Sequence, residues 1–173
     1  PLEDDPAVTD DPERESVRDA LVCREASSLE ELRPGAVIGS GSLRRRAQLL
    51  HRRADLQIDG IRGNVDTRLK KLAEGSFDAI VLAEAGLKRL GLAGRITQIL
   101  PPEIMLSAVG QGALGLETRV EDLATRSALA PLDHPASHAA VLAERTMLAA
   151  LCGGCLAPIA GWGRPEGEKL VLT

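Results

Sequence analysis

Two groups of side chains in this sequence could do chemistry: arginines clustered around two small-residue loops, and cysteines flanking a Gly-Gly pair. Residues 39–46 read GSGSLRRR. Glycine and serine let backbone approach a ligand closely, and free N–H groups at a helix start attract anions. Arg44 and Arg45 fall in the first turn of the helix that follows, where a cation opposes the helix dipole at a cost of roughly 0.3–1 kcal/mol when exposed. Their placement makes physical sense if an anion sits between the dipole and the side chains. The competing reading is a solvated basic face on an ordinary helix. A second stretch, IRGNVDTR at 61–68, puts Arg62 in a strand-to-helix loop and Arg68 one turn into the next helix. In a parallel sheet both loops emerge at the carboxyl ends of strands, where ligands bind. Four guanidiniums on one crevice suit a ligand with several carboxylates, each gripped bidentately. Pairing with Asp59, Asp66 or Glu74 on an ordinary surface is the alternative.

CGGC at 152–155 is the second group. A two-residue spacing can mean a redox pair or half a zinc site. The three histidines, His51, His134 and His138, form no second paired motif, so zinc lacks its remaining ligands. Redox pairs sit at helix amino ends, where the dipole lowers a thiol pKa, whereas this pair follows a helix. A flexible loop presenting one nucleophilic thiol to a neighbouring crevice accounts for it equally well, as does a buried structural cysteine.

The whole-chain balance narrows the partners. With a net charge of −4, one Phe, one Trp and no Tyr, the chain has neither the basic surface nor the stacking platforms of a nucleic-acid binder. Three cysteines make no disulfide framework. No stretch approaches the ~20 apolar residues of a membrane span, and the acidic, Pro-rich start is the opposite of an export signal. A cytoplasmic location is the default expectation. The absent initial methionine and the apolar run at 170–173 give the chain the look of a fragment.

These residues need elements to position them. Residues 1–16 hold seven acids and three prolines, which predicts an irregular segment. Strands are expected at 20–23, 36–39, 56–61 and 77–83, with a capped helical turn at 27–32. Helices are expected at 43–53, with Leu43, Ala47 and Leu50 inward, at 65–74, with Val65, Leu69 and Leu72 inward, and at 84–90. Alternation at this spacing implies an open parallel or mixed sheet. Pro101-Pro102 breaks the rhythm. Beyond it come a Gly-rich strand at 109–117, helices at 121–130 and 134–151, and strands at 159–162 and 169–172.

Taken in order, RESVRDALV, GSLRRRAQL, IRGNVDTRL, FDAIVLAEAGLKRLG, ILPPE, SAVGQGALGLE and GGCLAPIAG resemble the porphobilinogen deaminase family over about residues 14–161. The resemblance implies an α/β fold: a periplasmic-binding-protein-like mixed-sheet domain with helices on both faces, plus the start of a small α/β cofactor-carrying domain. It assigns 1–12 to the tail of a first domain, 13–106 to the second, 107–130 to a return segment into the first, and 131–173 to the start of the third. It implies hydroxymethylbilane synthase activity, polymerising porphobilinogen onto a dipyrromethane cofactor held covalently by Cys155, in a cytoplasmic monomer that uses no metal, nucleic acid or membrane. Cys152 has no counterpart in the family motif. Ser40, Gly41, Ser42, Arg44, Arg45, Arg62, Arg68 and Gln111 match positions that hold acetate and propionate groups of cofactor and chain or lie beside them. Gly41 stands where a hydroxyl residue is common. No catalytic residue is assigned within these residues, because the family's aspartate belongs to an HS-(L/M)-K-D motif that this sequence lacks, so the chain alone is expected to be silent. A non-catalytic anion-binding module is the competing class, and it leaves GGC unused.

Overall fold

Apolar runs alternating with amphipathic stretches between residues 19 and 100 fold into strands covered by helices on both sides. The computed structural model describes residues 7–154 and 157–173. In chain order come β1 (Ala7–Asp10), β2 (Asp19–Cys23), β3 (Val37–Gly39), α1 (Leu43–Arg52) and β4 (Gln57–Asp59). There follow α2 (Val65–Ala73), β5 (Ala79–Ala83), α3 (Glu84–Arg89) and β6 (Gln98–Leu100). The remainder comprises β7 (Leu116–Thr118), α4 (Leu123–Leu129), α5 (Pro135–Ala150), β8 (Gly163–Glu166) and β9 (Lys169–Leu172).

Five strands make one mixed sheet in the order β4-β3-β5-β2-β6. β3 runs parallel to β4 and β5, while β2 runs antiparallel to β5 and β6. The pairings Asp19↔Ala83 and Asp19↔Leu100 put the first residue of β2 at the edge where β5 and β6 end. β3 and β4 end at that edge too, through Gly39↔Asp59. One edge therefore collects the loops opening α1 and α2, the start of β2 and the Pro101-Pro102 exit.

Period-two alternation divides the core. Leu21, Ile38, Ile58 and Val81 face one side with Leu49 of α1, and Ala20, Val22, Ile80 and Leu82 face the other with Leu69 and Leu72 of α2 and Leu87 of α3. Each fully buried leucine contributes about 1.5–3 kcal/mol of transfer free energy. Outside this sheet, β1 pairs with β7 and β8 pairs with β9, and β8 and β9 pack on α5. A Cβ on Gly163 would lie 2.7 Å from the Ala140 carbonyl oxygen, so only glycine lets β8 cross α5 this closely.

Several expected elements differ. Residues 7–10 form a strand within the segment read as irregular, because β7 supplies a partner that local composition does not reveal. Residues 27–32 form turns rather than helix, with Ser27 and Ser28 bonded to Glu31. The Gly-rich strand at 109–117 contracts to β7, since Gly110 and Gly112 adopt φ of +71° and +85° and turn the chain. The strand at 159–162 lies later, at β8. In α1 the inward stripe differs from Leu43, Ala47 and Leu50: Leu43 and Ala47 are exposed, Leu50 packs partly buried against the core, and the buried residues are Arg44 and Leu49.

Candidate anion-binding crevice

The inverted stripe of α1 has its cause at the shared edge. Asp19 opens β2 there, and α1 leaves the same edge after β3, so Arg44 and Arg45 overhang a fully buried carboxylate. Asp19 Oδ2 accepts from Arg44 Nη2 at 2.8 Å. Its Oδ1 accepts from Arg45 Nη2 at 2.6 Å, Arg45 Nε at 3.1 Å and Gln111 Nε2 at 3.0 Å. Arg44 Nη1 also donates to the Leu106 carbonyl, and Arg45 Nη1 to that of Val81 at 3.1 Å. An anion at the arginine-bearing helix start is thus supplied by the chain itself. Burial lowers the Arg44 guanidinium pKa from its ordinary value, with Asp19 opposing the shift. Its Nε is buried without a hydrogen-bond partner.

Small residues build the mouth. Ser42 caps α1, its Oγ accepting from the Arg45 N–H at 3.4 Å. Ser40 is buried, with its N–H donating to the Asp59 carbonyl at 2.8 Å and its Oγ accepting from Ser42 N–H at 3.3 Å. Gly41 is exposed, and a Cβ there would stand 3.2 Å from the Ile61 carbonyl oxygen. Asn64 caps α2 through the Thr67 N–H at 2.9 Å. Gly63, at φ +114°, makes the turn before it, where a Cβ would strike Thr67 at 2.7 Å.

Gly41, Ser42, Arg45, Arg62, Arg68 and Lys71 line a cleft of about 900 Å³. Arg44 is not among the lining residues: it is 4% exposed and turned inward. Arg68 Nε donates to the Gly63 carbonyl at 2.8 Å, which aims the rest of its fork at the cleft. Partial burial, and then the like charge of Arg45, lower the Arg68 pKa from its ordinary value. Among the described residues, neither Arg62 nor Arg68 forms an ion pair, with Asp59, Asp66, Glu74 or any other acid. A separate cleft of about 610 Å³ near Trp162 has its cations spent already. There Arg14 pairs with Glu144, Arg18 with Glu84, Lys88 with Glu15 and Glu84, and Arg164 with Glu166. Of these two clefts, the one over α2 holds cations that have no acid partner among the described residues.

Gln111 sits in a turn rather than a strand. Its amide nitrogen joins Asp19 to the Val17 carbonyl at 2.5 Å, and its own carbonyl accepts from Arg14 Nε at 2.9 Å. The two Nη groups of Arg14 reach Glu144 of α5 at 2.7 and 3.0 Å. A continuous polar chain thus connects the crevice to α5. Cys152 follows that helix, exposed and at φ +50°. Cys155 lies outside the described residues. Cys23, the last residue of β2, is half-buried, and burial pushes its thiol up to about 11. Sequence reading missed Asp19, Lys71, Arg14 and Glu144. The signal for Asp19 was an acid set directly before the apolar run of β2, a buried charge that needs a cation.

Fold and crevice define a mixed-sheet α/β domain that offers unpaired cations, suited to carboxylates, at the carboxyl ends of adjacent parallel strands. The family model described as porphobilinogen deaminase, dipyrromethane cofactor binding domain, matches residues 2–127. A porphobilinogen deaminase of Roseiflexus castenholzii is 51% identical over 93% of this chain and 53% of its own length. One from Shouchella clausii is 55% identical over 87% of this chain and 49% of its own. Among solved structures, a Salmonella typhimurium periplasmic binding protein of high arginine specificity aligns with a TM-score of 0.43 and 14% identity, over 80% of this chain and 57% of that one. The chain belongs to the porphobilinogen deaminase family, and it spans about half the length of the curated relatives it matches.

Proposed function

We propose that the protein containing these residues is a hydroxymethylbilane synthase, a transferase that joins four porphobilinogen units, with loss of ammonia at each addition, and releases the product by hydrolysis. The observation that carries this reading is the pair of unpaired guanidiniums, Arg62 and Arg68, beside Arg45 in a chain about half identical to porphobilinogen deaminases. Porphobilinogen carries an acetate and a propionate arm, and a linear pyrrole chain repeats them. Cations on adjacent loops fit that pattern better than a single-anion pocket would. A dipyrromethane fits the same donor set; when bound, it supplies the terminal pyrrole carbon that is extended.

In this reading Arg45, Arg62 and Arg68 hold carboxylate arms, while Ser42 and the Gly41 backbone close the mouth around them. Arg44 acts from behind. With Asp19 and Gln111 it fixes Arg45 and the wall formed by residues 106–111. Cys155 carries the primer through a thioether, and Cys152 does not. The acid–base carboxylate comes from residues of the full protein beyond these 173, because Asp4, Asp5, Asp10 and Asp11 lack the neighbours of the family motif. β1 pairing with β7 supports grouping 1–12 with 107–130 in one domain, apart from 13–106 and from 131–173. The proposal extends to a cytoplasmic monomer; among the described residues no helix is long and apolar enough to cross a membrane.

Intact mass of the full-length protein tests the centre of this reading. The wild type should carry a dipyrromethane, Cys152→Ala should keep it and Cys155→Ser should lack it. A wild type with neither that mass nor turnover of porphobilinogen overturns the function, and a modified peptide at Cys152 overturns the attachment.

A further inference from the structure

Lys71 stands one turn beyond Arg68 on α2, and residues three apart share a helix face. It lines the cleft with Arg45, Arg62 and Arg68. Its Nζ donates to the Arg62 carbonyl at 3.2 Å, one hydrogen bond from a group that has three donors. Among the described residues no carboxylate pairs with it. Its neighbour Lys70 pairs with Glu74 at 3.8 Å, and Lys88 pairs with Glu15 and Glu84 at 3.1 and 3.0 Å. Lys71 is therefore a half-buried ammonium with free donors, aimed into a cleft whose other cations are guanidiniums.

We propose that Lys71 is a substrate-binding residue whose ammonium takes a carboxylate arm of a pyrrole in this cleft. The inference rests on the reading of the crevice given above and adds a member to it. The charge balance supports it: Arg44 and Arg45 share the single carboxylate of Asp19, and among the described residues no acid pairs with Arg62, Arg68 or Lys71, so the cleft carries a clear excess of positive charge. The same bond that ties Lys71 to the Arg62 carbonyl also holds the loop carrying Arg62, so one side chain both steadies a guanidinium and supplies a second charge beside it. An ammonium is a compact point charge that follows a carboxylate as it shifts, whereas a guanidinium fork demands a fixed bidentate approach. The carboxylate could belong to the resident dipyrromethane or to an incoming porphobilinogen.

The test uses the full-length protein with Lys71→Gln, which keeps an N–H for the Arg62 carbonyl but removes the charge, and Lys71→Arg, which keeps the charge. Intact mass reads primer loading. Calorimetry reads the affinity for a pyrrole with acetate and propionate arms but no aminomethyl group, which cannot react. Lys71→Gln should either lose primer or bind this probe roughly tenfold more weakly, with a shallower salt dependence. Lys71→Arg should restore most of the loss. Missing primer assigns the grip to the dipyrromethane, and weakened probe binding with primer retained assigns it to the substrate. Unchanged primer, affinity and salt dependence in Lys71→Gln overturn the proposal. Equal loss in Gln and Arg variants also overturns it, since that pattern marks a loop support and not a charge. Absence of primer and turnover in the wild type is a different result, which removes the proposed function itself.

Discussion

The crevice has an inner and an outer pair of arginines that look alike in sequence and differ in everything that matters physically. Arg44 and Arg45 share a fully buried carboxylate, and Arg44 is 4% exposed. Arg62 is exposed and Arg68 half-buried, and neither has an acid partner among the described residues. A paired, buried charge is structural: removing one member strands the other in low dielectric, at a cost of roughly 3–5 kcal/mol. An unpaired charge at a cleft mouth is a binding group, whose loss costs affinity and little stability. Identical residue types separated by one βα unit thus divide by partner: Arg44 is scaffold, Arg62 and Arg68 are grip, and Arg45, tied to Asp19 yet lining the cleft, belongs to both.

The sharpest way to break this comparison is Asp19→Asn in the full-length protein. Two guanidiniums would then face an amide, and stability to urea should fall by about 3–5 kcal/mol. An unchanged unfolding midpoint would mean that the inner pair is not closed by Asp19. Arg62→Leu and Arg68→Leu should do the reverse. Stability should stay within about 0.5 kcal/mol, while primer loading or affinity for porphobilinogen falls roughly 10–100-fold, the size of a lost charge-assisted bond. A stability loss like that of Asp19→Asn, with turnover and primer intact, would erase the distinction. The smallest effect belongs to Gly41→Ser. Its Cβ would meet the Ile61 carbonyl oxygen at 3.2 Å, a contact that must give by a few tenths of an ångström. The added hydroxyl should change affinity by less than about threefold, measured by calorimetry with the same unreactive pyrrole.

β3 and β5 were legible because each is a short apolar run following a glycine or proline break, whereas β6, Gln98–Leu100, was not expected, its three residues lying directly before the Pro101-Pro102 break. α2 was read correctly down to Leu69 and Leu72, since its buried stripe is apolar. α1 defeated the same method. Periodicity assumes that charged residues face water, and here Arg44 lies beneath the helix because an acid from another strand waits there. That pairing depends on β2 running antiparallel, which brings residue 19 to the edge where residue 39 ends. Strand direction is a tertiary property with no local signature. β1 escaped for a related reason: its partner, β7, lies about a hundred residues along the chain. The loops that carry Arg62 and Arg68 were legible because Gly63 and Asn64 announce a turn and a cap within a few residues.

Glu144 carries a consequence of its own. It is fully buried, and its two oxygens take four donors from three distant segments: two from Arg14 and one each from the N–H groups of Gly110 and Gly163. A carboxylate in that position cannot be enclosed by instalments, because each missing donor leaves a charge short of its compensation in low dielectric. The three segments must therefore close on α5 in concert, and the helix behaves as a keystone seated only when its neighbours are in place. Loss of any one of the contacts from residues 14, 110 and 163 therefore weakens the other two, and the joint stands or falls as a unit.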